Sequence, residues 1–128
     1  MAPNTHLGIH PDLVGVPATL AEGRASATLT TTPAMAADAR GLVHGGFVFG
    51  LADYAAMLAV NHPNVVLGSA ETRFVAPVAV GEVVVAEAER IEEKGRKHVV
   101  RVVARVGERP VFEGTFTTFV LDRHVLDR

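Results

Sequence analysis

One long apolar helix followed by a run of strands predicts an α+β protein, in which a helix packs on an antiparallel sheet. Three observations carry that prediction. Residues from about Gly46 to Asn61 are almost wholly apolar, and Asn61-His62-Pro63-Asn64 is a stop signal. Residues 24–32 alternate, with Ala25, Ala27 and Leu29 on one side and Arg24, Ser26, Thr28 and Thr30 on the other, as in a half-buried strand. Strand-like stretches at 65–75, 82–92, 97–106 and 111–121 are separated by short turns, which implies an antiparallel meander.

The remaining elements follow in order. Residues 1–17 contain three prolines and two glycines and read as loop or a short helix. Pro33 ends the first strand. Residues 34–43 read as an irregular loop with a turn of helix at 34–37. Pro77 and Gly81 close the 65–75 strand, Glu93-Lys94-Gly95 the next, and Gly107-Glu108-Arg109-Pro110 the third. One apolar helix cannot cover both faces of a sheet of five or six strands. A helix apolar nearly all round also needs burial on more than one side. A sheet wrapped around the helix, together with a second subunit, answers both needs.

Bulk properties narrow the function classes. A chain of 128 residues suits one domain, read as an N-terminal extension at 1–17 and a core over 18–121. A formal net charge of −2 offers no basic surface for nucleic acid. The chain has no cysteine, hence no disulfide, thiol nucleophile or Cys-based zinc site, which fits the cytoplasm. Met1 to His6 lack the regions of a signal peptide. The longest apolar stretch, Phe47 to Val60, is interrupted by Asp53 and falls short of the ~20 residues that span a bilayer. The expectation is a soluble protein with no membrane and no nucleic-acid partner.

Chemistry concentrates on the helix. Asp53 is its one charge, and an ionised Asp there is costly to bury unless it has partners or a task. The bland reading puts Asp53 at a wet edge or against a loop; the functional reading makes it a general base or nucleophile in a dry pocket. His44-Gly45-Gly46 opens the helix. Those glycines could serve only a turn, or could leave backbone N–H groups free to polarise a carbonyl. Gly45 and Asp53 are eight positions apart, ~12 Å along one helix at ~1.5 Å per residue. One helix cannot bring both to one carbonyl. Two antiparallel helices across a two-fold axis could, giving a dimer with two equivalent sites.

The string from His44 to Asp53, His-Gly-Gly-Phe-Val-Phe-Gly-Leu-Ala-Asp, resembles the His-Gly-Gly…Leu-Ala-Asp signature of hotdog-fold acyl-CoA thioesterases. The likeness is to the phenylacetic-acid-pathway and 4-hydroxybenzoyl-CoA types. Residues 71–82, Glu-Thr-Arg-Phe-Val-Ala-Pro-Val-Ala-Val-Gly-Glu, are similar to the strand-Pro-turn-Gly-Glu stretch that follows the helix in those proteins. The resemblance spans roughly 24–121. It implies a hotdog fold, with a long central helix wrapped by a five- to six-stranded antiparallel sheet, as a homodimer or dimer of dimers. It implies hydrolysis of an acyl-CoA or related thioester, with coenzyme A as part of the substrate and no metal or other cofactor. The Gly45 N–H would bind the thioester oxygen. Asp53 of the partner subunit would activate water or attack the carbonyl. His44 would sit beside the leaving sulfur or steady the loop. Relatives often carry Asn six residues before the His. Here that position is Asp38, an acid whose charge would raise the pKa of Asp53 unless it points away. Gly46, Asp38, Tyr54, Ser69 and Glu71 complete the residues expected to meet substrate.

Other signals point to ordinary roles. Glu71 on its strand reads as a surface charge paired with Arg73, or alternatively as a pocket residue near Ser69. The run Lys94, Arg96, Lys97, Arg101 and Arg105 reads as cross-strand pairing with Glu87, Glu89 and Glu113, or alternatively as a phosphate site for coenzyme A. The six histidines are scattered, without metal-ligand spacing. No nucleotide-binding glycine loop and no Gly-x-Ser-x-Gly elbow occurs. Two rivals stay open: a hotdog dehydratase or hydratase acting on acyl thioesters, and a non-catalytic acyl-CoA-binding module.

Overall fold

The protein is described from a computed structural model covering residues 1–127. Helix α1 spans Pro11–Val14, β1 Val16–Ala21 and β2 Arg24–Thr30. A 3-10 turn at Pro33–Met35 precedes α2 at Gly45–Val60. Strands β3 (Val65–Phe74), β4 (Val83–Lys94), β5 (Lys97–Val106) and β6 (Arg109–Val120) follow. All six strands form one antiparallel sheet in the order β1-β2-β4-β5-β6-β3. This is the hotdog arrangement: α2 lies across the inner face and the sheet curves around it.

Local chemistry fixes α2. Its body is built from Ala and Leu, strong helix formers. His44 is the N-cap, in extended backbone, and its Nδ1 accepts from the Gly46 N–H at 2.9 Å. Asn61 ends the helix in the left-handed region (φ 53°, ψ 46°) with its N–H donated to the Met57 carbonyl, and Pro63 blocks continuation. Alternation directs Ala25, Ala27, Leu29, Val84, Ala86, Val100, Val102 and Ala104 inward, all buried. Their small side chains let α2 lie close to β2, β4 and β5. Phe112 and Phe116 from β6 close the core against Phe49, with ring centroids 5.6–6.4 Å apart.

Two expectations are corrected. Residues 16–21 form a strand that alternation did not signal, because β1 is an exposed edge with a bulge between Pro17 and Thr19. The last four strands are also not a simple meander. β4, β5 and β6 are, but β3 pairs with β6, from Val65 opposite Val120 to Phe74 opposite Phe112. Residues 75–82 carry the chain past the ends of β6 and β5 to β4. Val75 and Ala76 both donate to the Val111 carbonyl on the way (2.8 and 3.3 Å).

The N-terminal segment is tied to α2. The Asn4 N–H donates to Asn61 Oδ1 (2.7 Å), Asn61 Nδ2 donates to the Ala2 carbonyl (3.0 Å), and the His6 ring sits 5.9 Å from that of Tyr54. No described helix is long and apolar enough to cross a membrane.

The aromatic cluster yields a stability prediction. Phe116→Ala removes a fully buried ring and should cost about 3–5 kcal/mol. Ile91→Ala, at an exposed position, should change stability by less than about 0.5 kcal/mol. Urea unfolding of both variants at one protein concentration measures the contrast.

Candidate active site

The start of α2 is held rigidly. The His44 N–H donates to the Met35 carbonyl (2.9 Å) and the Val43 N–H to the Val78 carbonyl (2.8 Å). The Val80 N–H donates to the Gly41 carbonyl (2.8 Å). Helix N-termini leave N–H groups without helical acceptors. Here the Gly46 N–H is taken by His44 Nδ1 and the Phe47 N–H by the His44 carbonyl (3.1 Å). The Gly45 N–H has no acceptor among the described residues. His44 therefore selects which donor is left over, and its neutral ring carries the remaining proton on Nε2. Gly45 lines an apolar furrow with Leu42, Val48, Phe74, Pro77 and Val78. A Cβ at Gly45 would meet the Phe74 ring at 3.1 Å, so glycine permits the close approach.

Two turns on, Asp53 sits among buried residues of α2. Its Oδ1 is buried without a hydrogen-bond partner. Burial raises its pKa from 3.8 to about 6. Asp38 contributes nothing to that rise. It is exposed, and its carboxylate accepts from the N–H groups of Arg40 (2.9 Å) and Leu42 (3.2 Å), folding its own loop. Tyr54 is buried beside Asp53, and burial pushes its phenol up as well.

The predicted residues do not all converge. His44, Gly45 and Gly46 lie together, and Asp53 and Tyr54 lie farther along the same helix. Ser69 and Glu71 lie on the edge strand β3 opposite Thr117 and Thr115, exposed, on the face turned away from α2. Within one chain they stand apart from the helix start. Arg73 approaches Glu113 (3.7 Å) rather than Glu71. Four members of the basic run meet carboxylates: Arg101 on Glu113 (3.4 Å), Arg105 on Glu87 (3.4 Å), Lys97 on Glu92 (3.5 Å), and Arg96 on Asp122, while Lys94 has no ion pair among the described residues. Glu89 pairs instead with Arg24 (2.8 Å).

One cation of the helix-start loop escaped the sequence reading. Arg40, five residues before Gly45, makes no ion pair among the described residues. A lone charge in a loop gives no periodic signal that could have singled it out. The other buried side-chain atom without a partner is His98 Nδ1, on β5 beside the β4–β5 turn. Among the described residues no three His, Asp or Glu side chains group as a metal site.

The family model described as thioesterase superfamily matches residues 40–113, more than half of the chain. The chain belongs to the thioesterase superfamily. The match takes in the helix start, Asp53 and strands β3 to β5. A solved structure of an uncharacterized Pyrococcus horikoshii protein superposes with a TM-score of 0.98 at 52% identity, covering 99% of this chain and 98% of that one. A mutant of the phenylacetic acid degradation protein PaaI from Thermus thermophilus superposes with a TM-score of 0.79 at 30% identity, covering 85% and 95%. Among curated relatives, a protein named methylthioribose-1-phosphate isomerase from Aquifex aeolicus is 53% identical over 92% of this chain and 26% of its own length. The transcription factor FapR from Caldanaerobacter subterraneus is 32% identical over 68% of this chain and 44% of its own length. The chain thus spans about a quarter of the first relative and less than half of the second. Each of those names belongs to a protein that lies mostly outside the match.

The pKa of Asp53 makes a stability prediction for this superfamily member. Between 3.8 and about 6 the folded chain holds a proton that the unfolded chain has released. Stability therefore falls as pH rises through that window, and the full penalty is present above it. The stability of Asp53→Asn relative to wild type should rise by about 2–3 kcal/mol between about pH 4 and about pH 7.5. Urea unfolding across that range measures it.

Proposed function

We propose that this chain hydrolyses an acyl-CoA, or a related acyl thioester, to the free acid and thiol, in a homodimer that joins Gly45 of one subunit to Asp53 of the other. The observation that carries the reading is the buried, unpartnered Oδ1 of the half-buried Asp53 on an otherwise apolar helix. A pure apolar binding pocket gains nothing from a buried acid. The Gly45 N–H, left free by the His44 cap, supports an oxyanion site helped by the helix dipole. Gly45 and Asp53 are ~12 Å apart along α2, so one helix cannot serve one carbonyl with both. The open edge of β3 and the exposure of Phe74 (57%) and Val75 (50%) support a second copy as the missing half.

The reaction then runs as follows. The thioester oxygen accepts from the Gly45 N–H, which strengthens as negative charge develops there. The carboxylate of Asp53 of the partner subunit takes a proton from water, and the water oxygen bonds to the carbonyl carbon. Collapse of the tetrahedral adduct breaks the C–S bond, and the proton held by Asp53 passes to the departing sulfur. The products are a carboxylic acid and a thiol, and the carboxylate is restored. His44 acts as a positioning residue that holds the helix start. Tyr54 and Gly46 border the reacting groups.

The relative named a transcription factor supports a second reading, a non-catalytic acyl-CoA-binding module in which the pocket senses its ligand. Saturable acyl-CoA binding with no thiol release from the wild type would establish it.

Two measurements test the hydrolase. Thiol release should rise with pH around a midpoint of about 6, and Asp53→Asn should lose about 10²–10⁴ of the rate. Gly45→Pro deletes one N–H at the first helical position, where the proline backbone is tolerated after a residue already in extended conformation (ψ 131°), while its ring must displace the exposed Phe74 ring that a Cβ would meet at 3.1 Å. It should be inactive while keeping its helix by circular dichroism. Co-refolding inactive Asp53→Asn with inactive Gly45→Pro should restore about a quarter of wild-type activity, since half the random dimers hold one intact site. No recovery from folded mixed dimers would place both residues in one subunit's site and sink the shared arrangement.

A further inference from the structure

The face of α2 turned away from the sheet is covered too. At ~100° per residue, Gly50, Tyr54, Met57 and Asn61 form one stripe, opposite the stripe of Ala52, Ala55 and Ala59 that packs on the sheet. A side chain on the outer stripe would be expected to meet solvent. Met57 is nevertheless 1% exposed and Tyr54 7%. The N-terminal segment covers them, running antiparallel along the stripe. Asn4 meets Asn61, His6 meets Tyr54, and Val14 lies 4.0 Å from the place of a Cβ on Gly50. Asp53 stands three residues after Gly50 and four before Met57, the nearest-neighbour spacings on a helix. It therefore lies along the edge of this covering, and its other flank, with Phe49 and Val60, is half-buried. We propose that residues 2–9 form a strap that keeps water from the Asp53 carboxyl, and that His6 is the positioning residue that seats it, through the Tyr54 ring. The bearing of the strap on turnover rests on the hydrolase reading. Its effect on the carboxyl does not.

The backbone at His6 fits this role. It is left-handed (φ 57°), a conformation that a residue other than glycine holds only when its surroundings compel it. Its Nδ1 is hydrogen-bonded to the hydroxyl of the buried Thr5 (2.8 Å). Burial lowers its pKa, so the ring resting on Tyr54 is neutral. Beyond His6 the chain stands clear. Leu7 is 76% exposed, and a Cβ added to Gly8 would meet nothing within 4 Å. The segment is fastened again at Val14 and Gly15, both buried. The strap is thus held at the His6–Tyr54 contact and at Asn61 rather than along its whole length.

No charge accounts for the state of Asp53, whose raised pKa is caused by burial alone. The residues that β2, β4 and β6 direct toward α2 are uncharged, and β1 carries no charge. Glu71 and Arg73 of β3 are exposed. The ionisable groups on the inner side are Tyr54 on α2, His6 on the strap, His98 on β5 and His62 after the helix. His98, like His6, is pushed toward its neutral form by burial. Exclusion of water is therefore what sets the carboxyl, and the strap is the part of the wall that can be untied.

Two variants untie it while leaving α2 in place. Asn61→Gly keeps the left-handed helix end, where glycine is favoured, and deletes the bonds to Asn4 and Ala2. His6→Gly keeps the left-handed backbone and deletes the ring. In protein labelled at the aspartate carboxyl carbon, the Asp53 resonance, identified by its loss in Asp53→Asn, is followed by NMR through a pH titration. The wild-type midpoint of about 6 should fall toward 3.8 in each variant, by about one unit, and farther in the double variant. Leu7→Ser, on the stretch that stands clear, should leave the midpoint in place. The midpoint of thiol release should move with the resonance. An Asp53 midpoint unchanged in both single variants overturns the proposal, and so does an equal fall in Leu7→Ser. If the resonance shifts as expected while the wild type turns over no thioester, the hydrolase reading falls and the strap stands.

Discussion

A carboxyl group with no hydrogen-bond partner, carried on the helix that forms the core of the sheet, is the constraint on which the rest depends. The sheet has a single long helix to cover its inner face, so that helix must be apolar on most of its circumference. Asp53 opposes this demand. Burial raises its pKa to about 6, and its Oδ1 finds no donor among the described residues. Neither feature helps folding, and a perturbed, unpartnered acid marks a candidate site on a chain that the family match places in the thioesterase superfamily.

The helix solves a second problem at its other end. An N-cap usually satisfies whichever orphan donor it reaches. His44 reaches the second glycine and leaves the first, because its ring nitrogen folds back over Gly46. A Ser or Asp cap would reach the N2 or N3 donor in a similar way, but without a ring that packs edge-on against Phe47 (6.4 Å). The separation of the free donor from the carboxylate then follows from helix geometry alone, and so does the need for a second helix. Under the proposed hydrolysis, assembly would be tied to chemistry and not only to the cover of apolar surface.

Much of this was legible in residue order, because the signals were local. The stop at Asn61 to Pro63, the alternation of β2, and the turns at Gly95 and Gly107 (φ 60° and 58°) each sit within a few residues. Asp53 stood out as one charge in an apolar stretch, and His44-Gly45-Gly46 as glycines at a helix start. What escaped was non-local. The pairing of β3 with β6 joins strands separated by two intervening strands, and no short-range pattern encodes it. β1 escaped because an exposed edge needs no alternation. The free state of the Gly45 N–H depends on which donor the His44 ring takes, a matter of one rotamer.

The position of β3 also bears on how the chain reaches its native state. β4, β5 and β6 are joined by tight turns and can pair as they collapse, with little loop to close. β3 is made earlier in the chain, yet its only pairing partner in the sheet is the last strand, so it must wait for β6. The edge that a second copy would use is therefore completed last. A partly folded chain lacks that edge in its final form, which delays pairing between chains until the inner core has closed.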